Sequence, residues 1–253
     1  MLSSPRTHAR VCRILREDPE LGARVAPGER ERAIAECVAA SITIPRGKWR
    51  VGQMLLMSDG IGLLALSGLL TRRVGLDGRF GAELLGAGDL LRPWQGEDVE
   101  STLPHTTGWR VIEPVRVAVL DLAATERLAH YPALIGAITG RALNRSRCLG
   151  LMMAIVHHPG TDVRLHMLMW HLADRWGRVR PDGVHLPLRL SHSLLADLVA
   201  AQRPSVTMSL KRLRERGLLE AVDTGWLLHG DPPGELLELQ HVAVSDARVA
   251  PRP

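Results

Sequence analysis

Aromatic rings are scarce in this chain: one Phe, one Tyr and six Trp among 253 residues, 3% of the total. A core with so few rings must rest on Leu, Ile, Val and Ala, and a hydrophobic fraction of 45% supplies the surface for one. Wholesale disorder is excluded on the same count. Long apolar runs are missing too. No stretch approaches the ~18 consecutive apolar residues that span a bilayer, so no membrane association is expected. The first sixteen residues mix Arg and His with few apolar side chains. They lack the apolar region of a secretory signal, and the expected compartment is the cytoplasm.

Cysteine and histidine are sparse where chemistry would need them. Cys12, Cys37 and Cys148 lie far apart, with no C-x-x-C pair. Three thiols cannot furnish the four thiolates of an iron–sulfur cluster or an all-thiolate zinc site, so they read as small buried apolar residues. His105 is the only histidine between residues 9 and 129. A cupin-like metal enzyme, the weakest alternative, would need several imidazoles converging there. His157-His158 are helical neighbours that point in different directions. No Gly-rich phosphate loop, Gly-x-Ser-x-Gly elbow or His-Glu-x-x-His pair is present. The expectation is no metal, no cofactor and no enzymatic activity.

Lysine is nearly absent as well. Only Lys48 and Lys211 occur, leaving 30 arginines among 32 cations, against 27 acidic residues for a net +5. A basic balance permits a polyanionic partner, and its placement decides whether there is one.

The chain reads as α+β. Residues 1–27, Arg-rich with Pro5, Pro19 and Pro27, read as a flexible lead-in. Residues 28–40 carry a helical pattern. Up to residue 121 short apolar runs alternate with Gly, Pro and Asp, which predicts a jelly-roll-like β-roll over 28–121 with a tight turn at Asp77-Gly78. Residues 122–158 then read as helical, with a short helix from Ala123 and a long one from Pro132 to about His158. Ile135, Ile138, Ala142, Arg145, Leu149, Met152 and Val156 repeat at heptad spacing. They are expected to form a dimer interface; the alternative is a helix packed on its own β domain. Thr161 or Asp162 is expected to cap the next helix, which ends near Gly177 and Pro181-Asp182-Gly183. Residues 232–253 read as a tail with one short helix, Glu235 to Gln240.

The richest segment, 159–231, is a candidate nucleic-acid module. Ser191 can cap a helix carrying Leu194, Leu195, Leu198 and Val199. Ala200-Ala201-Gln202 links it to a second helix, Arg203 to Arg216, with Val206, Leu210 and Leu213 inward. Two helices so joined form a helix-turn-helix, whose second helix fits the major groove of double-stranded DNA. Leu218–Val222 and Trp226–His229 around Asp223-Thr224-Gly225 read as a β-wing. Between 203 and 216 five cations face one Glu, a net +4 over fourteen residues. Arg203, Ser205 and Met208 are assigned to base reading, and Thr207, Lys211 and Arg212 to phosphates. A winged helix that binds protein rather than DNA is the alternative reading.

These elements, and SHSLLADLVAAQRPSVTMSLKRLRERGLLE in particular, resemble the Crp/Fnr family of transcription regulators. GAGDLL, VRVAVLD and Arg164 add to the likeness. The resemblance implies a cyclic-nucleotide-binding-type β-roll, a homodimer on a two-fold symmetric operator, and contact with RNA polymerase. There are departures. Gly88-Asp89 runs into Leu90-Leu91-Arg92-Pro93-Trp94, and a later segment is His105-Thr106-Thr107-Gly108. The family's sugar-binding Glu and phosphate-binding Arg are absent. Leu149-Gly150 stand where a polar pair reaches adenine, and the cluster-binding cysteines are missing. Binding of a cyclic nucleotide in the family's usual way is therefore not expected. Pro204 and Met208 replace polar base readers, so the family's operator sequence does not carry over.

Overall fold

The computed structural model describes residues 10–51, 59–94 and 102–233. The expected helix at 235–240 lies outside them. The chain divides into two compact units, Met1–Leu149 and Gly150–Pro253. That division falls inside the long helix, not at its end near residue 158.

The first unit is built on strands β1 (Arg10–Arg13), β2 (Val38–Ile44), β3 (Gly47–Trp49), β4 (Gly62–Leu76), β5 (Arg79–Gly86), β6 (Leu90–Leu91) and β7 (Thr106–Leu120). They form one antiparallel sheet in the order β1-β2-β7-β4-β5, with β3 on β7 and β6 on β4. Successive side chains of a strand point to opposite faces, and here both faces are buried. Val115, Val117 and Val119 join Leu63, Leu70, Trp49 and Trp109 in one cluster. Ala118, Leu120 and Leu64 join a second, with Ile14, Leu21, Leu128 and Leu134. Two-sided burial is why IGLLALSGLL and VRVAVL read as nearly unbroken apolar runs.

Asp77-Gly78 makes the expected tight turn, both residues left-handed at φ 48° and 70°, with Leu76 opposite Arg79. Gly68 sits in the irregular stretch of β4 at φ 87°, where a Cβ would lie 2.2 Å from the Pro114 carbonyl oxygen. Only glycine fits there.

Two expectations at the amino terminus are corrected. Residues 10–25 are not a loose lead-in: β1 pairs with Val38–Ser41 of β2, and Ile14, Leu15, Leu21 and Val25 are each at most 3% exposed. Few apolar side chains among many arginines still sufficed to fill one side of the sheet. The helix expected over 28–40 is shorter. After α1 (Ile14–Glu17) and a 3₁₀ turn at Pro27–Glu29, α2 spans Arg30–Glu36, and Val38 already belongs to the sheet.

Helices α3 (Leu122–Ala129) and α4 (Pro132–His157) follow as expected. The Asp121 carboxylate caps α3 by accepting from the Ala124 N–H at 2.8 Å. The seam on α4 is placed otherwise than as a dimer interface in its first half. Ile138 is 6% exposed inside the second core cluster, and Ile135 packs against that cluster. Arg145 reaches the sheet: Nε and Nη2 donate to the Glu83 carboxylate at 2.6 and 2.8 Å, and Nη1 donates to the Leu90 carbonyl at 2.7 Å. A helix lying on a sheet and a helix in a coiled coil need the same apolar stripe, so the period names a face but not its partner. Ala142 is exposed, and Leu149, Met152 and Val156 are half-buried. The open face of α4 carries Gly136, Gly140, Leu143, Arg147, Gly150 and Ala154, all exposed, with Leu143 at 64%.

The second unit holds α5 (Thr161–Trp176), β8 (Arg178–Arg180), β9 (Gly183–Leu186), α6 (His192–Leu198), α7 (Arg203–Glu215), β10 (Leu219–Val222) and β11 (Gly225–Leu228). Its four strands lie in the order β10-β11-β9-β8. The hairpin β8–β9, around Pro181-Asp182, was not expected. Neither Thr161 nor Asp162 caps α5; Gly160 occupies the cap position with no side chain to offer. Leu165, Leu168, Leu186, Leu195, Val206, Leu213 and Leu228 are each at most 1% exposed and form the core.

Candidate nucleic-acid interface

Helix α6 starts at Ser191, whose Oγ accepts from the Leu194 N–H at 3.2 Å. It ends in a left-handed Ala200 at φ 49°, with the Ala201 N–H donating to the Ala196 carbonyl at 2.9 Å. This is a Schellman ending with alanine where glycine would be unstrained. Arg164 of α5 holds the turn from outside. Its Nη1 donates to the carbonyls of Val199 and Ala200 at 3.2 and 3.4 Å, and its Nε to that of His158 at 2.7 Å. Those carbonyls have no helical partner, so the guanidinium supplies one.

Helix α7 follows, with Pro204 in its first turn, where a missing N–H costs nothing. Val206, Ser209, Leu210 and Leu213 are buried. Arg203, Ser205, Thr207, Met208, Lys211, Arg212, Arg214 and Arg216 are all exposed. Gly217, left-handed at φ 67°, stops the helix, and the Leu218 N–H donates to the Leu213 carbonyl at 3.0 Å.

The six residues assigned to DNA have different surroundings. Arg203 and Ser205 are exposed at the start of α7, and Met208 is 51% exposed one turn on. Thr207 is partly engaged. Its Oγ1 donates to the Arg203 carbonyl at 3.1 Å and lies 2.9 Å from His192 Nδ1, tying α7 to the start of α6. Lys211 lies 3.7 Å from Glu215, a loose surface pair. Arg212 departs most from its assignment. Its Nε and Nη2 grip the Asp162 carboxylate at 2.7 and 2.5 Å, and Nη2 also donates to Ser209 Oγ at 3.0 Å. The hydrogen bond from Arg212 holds the Asp162 carboxyl below the usual aspartate range. Arg212 is thus a clamp between α7 and α5, and the role of Asp162 in it was not legible fifty residues away in sequence.

The wing is present as β10–β11, with Val222 opposite Gly225 and Asp223-Thr224 at its tip. Gly225 has φ 148°, and a Cβ there would lie 2.1 Å from the Leu186 carbonyl oxygen. Thr224 Oγ1 sits 2.9 Å from Nε2 of the buried His185 on β9, fixing the tip to the sheet.

In the first unit a pocket of about 220 Å³ lies where α4 meets the sheet, lined by Arg72, Leu90, Arg141, Arg145, Ser146 and other α4 side chains. Two of its arginines are hydrogen-bonded to carboxylates and the third makes a longer ion pair. Arg145 holds Glu83, Arg72 Nε is 3.3 Å from the same carboxylate, and Arg141 binds Asp18, with one contact at 2.8 Å. Among the described residues no three His, Cys, Asp or Glu side chains gather as a metal site requires, and no helix is long and apolar enough to cross a membrane.

Comparison with known proteins agrees with this geometry. Residues 163–233 match the family model described as a Crp-like helix-turn-helix domain. Among solved structures, the c-di-GMP responsive global regulator CLP of Xanthomonas campestris is 21% identical. It covers 81% of this chain and 100% of its own, with a TM-score of 0.55. A CooA mutant from Carboxydothermus hydrogenoformans is 17% identical over 79% of this chain and 86% of its own, TM-score 0.56. FixK2 from Bradyrhizobium japonicum is 15% identical over 79% and 96%, TM-score 0.55. At these identities the likeness is one of fold. No curated protein sequence matches the chain.

Proposed function

We propose that this chain, which has the fold of the Crp/Fnr regulators and a Crp-like helix-turn-helix domain, is a sequence-specific DNA-binding transcription regulator of the cytoplasm. The observation that carries the reading is the set of exposed cations along α7 and at its end. Four cations, Arg203, Lys211, Arg214 and Arg216, are exposed there, anchored by Arg164 and Arg212 from behind and flanked by a wing. Exposed guanidinium groups on a helix of groove width suit phosphates and guanine edges. In this reading Arg203, Ser205 and Met208 face bases. Lys211 and Thr207 face phosphates, and Arg212 positions the helix.

The protein acts as a homodimer on a two-fold symmetric operator and works with RNA polymerase, not as an enzyme. Two copies pair through the open face of α4. Gly136, Gly140, Gly150 and Ala154 let backbones approach, and exposed Leu143 and Leu151 supply apolar area. The effector is not a cyclic nucleotide bound in the family's usual way. A phosphate in the pocket would have to displace Glu83 or Asp18 from their arginines. No resident cofactor is proposed.

Selection of bound fragments from a random duplex pool tests the proposal. A two-fold symmetric consensus is the expected result; no enrichment over the starting pool would contradict it.

A further inference from the structure

The outer ridge of α7 is apolar where a groove-reading helix normally carries hydrogen-bonding groups. The buried side chains Val206, Ser209, Leu210 and Leu213 define the inward direction. At 100° per residue, Pro204, Met208, Lys211 and Glu215 fall within about 30° of the opposite direction. The carboxyl-terminal half of this ridge is the loose Lys211–Glu215 pair. The amino-terminal half is Pro204 and Met208, both exposed, with Met208 at 51%. Proline has no N–H to give, and a thioether is at most a weak acceptor. Arg203 and Ser205 flank the ridge rather than crown it.

Resting on the DNA-binding reading above, we infer that Met208 is a specificity-determining residue that reads the C5-methyl group of a pyrimidine in the major groove. The methyl is the largest apolar group on a base edge in that groove, where the rest is hydrogen-bond donors, acceptors and bare C–H. A thioether pressed on a donor or acceptor removes it from water without replacing its hydrogen bond, which is unfavourable. Pressed on a methyl, it buries apolar surface on both sides and leaves nothing unpaired. Met208 therefore selects a base pair by what it cannot bond to. The methyl belongs to thymine or to 5-methylcytosine, and the ridge does not distinguish them.

The test uses the full-length protein and synthetic duplexes of the consensus selected from the random pool. Thymines are replaced one at a time by deoxyuridine, which removes the methyl and keeps the pairing. Burying one methyl predicts about a fourfold loss of affinity at one thymine per half-site. A cytosine placed there should bind about fourfold better once methylated at C5. In Met208→Ala the thymine-to-uracil ratio should fall to near one, and Met208→Leu, apolar and of similar volume, should keep it. Deoxyuridine without effect at every position would overturn the inference and leave the regulator reading intact. So would an equal penalty in wild type and Met208→Ala. Failure to select any consensus would overturn both.

Discussion

Single residues carry most of the geometry of the recognition helix. Ala200 adopts φ 49° with a Cβ that the left-handed region disfavours. Ala200→Gly should stabilise the protein by about 0.5–1 kcal/mol, the relieved strain being offset partly by the freedom glycine gains when unfolded. Chemical denaturation checks it; a loss of stability would mean the turn is not strained. Asp162 gives a pH dependence. Its carboxyl is held low by the hydrogen bond from Arg212. The pair thus contributes stability above the unfolded aspartate value, near ~3.9, that is lost as pH falls toward the lower folded value. Thermal unfolding between pH 7 and 3 should show a drop in this window that Asp162→Asn reduces. An unchanged drop would remove Asp162 from the account. The face and limits of α7 were legible from its own period and from Pro204 and Gly217. The engagement of Arg212 was not, because its partner is distant in sequence and a helical arginine looks the same paired or free.

At the scale of elements, α4 shows what periodicity leaves open. Its heptad stripe was visible, but in its first half the stripe packs on its own chain, Ile138 in the core cluster with Leu64 and Ala118 and Arg145 on Glu83 of β5 and Leu90 of β6. The opposite face leaves no hydrophobic period in the sequence because glycines and alanines contribute little hydrophobicity, although they permit close approach. Leu143→Glu, 64% exposed on that face, should convert dimer to monomer in sedimentation experiments while leaving the fold intact. A variant that remains dimeric would place the interface elsewhere. Arg145→Leu should instead cost stability. Its removal leaves the Glu83 carboxylate, 12% exposed, with only the 3.3 Å contact to Arg72, so the cost should fall below the about 3–5 kcal/mol of a fully stranded buried charge. A change below about 1 kcal/mol would show that the pair is solvated. The hairpin β8–β9 went unread because two strands of three and four residues give no period to detect, though Pro181-Asp182-Gly183 marked its turn.

At the scale of the whole molecule, the order of elements was legible almost throughout, from glycine-punctuated strands to long helix to winged helix-turn-helix. What remained hidden was how the amino-terminal residues join the sheet, since β1 is specified by pairing with a strand almost thirty residues on. In this proposal the exposed cations Arg203, Lys211, Arg214 and Arg216 serve duplex DNA. The most direct measurement is the affinity of the full-length protein for its selected operator as a function of salt, for wild type and Arg203→Ala. Log affinity should fall linearly with log salt, about 0.9 per phosphate contacted and steeper than about −3 overall. A loss of about tenfold or more is expected in Arg203→Ala, confined to the consensus sequence. Affinity that is flat in salt, or equal in the two proteins, would contradict the DNA-binding reading.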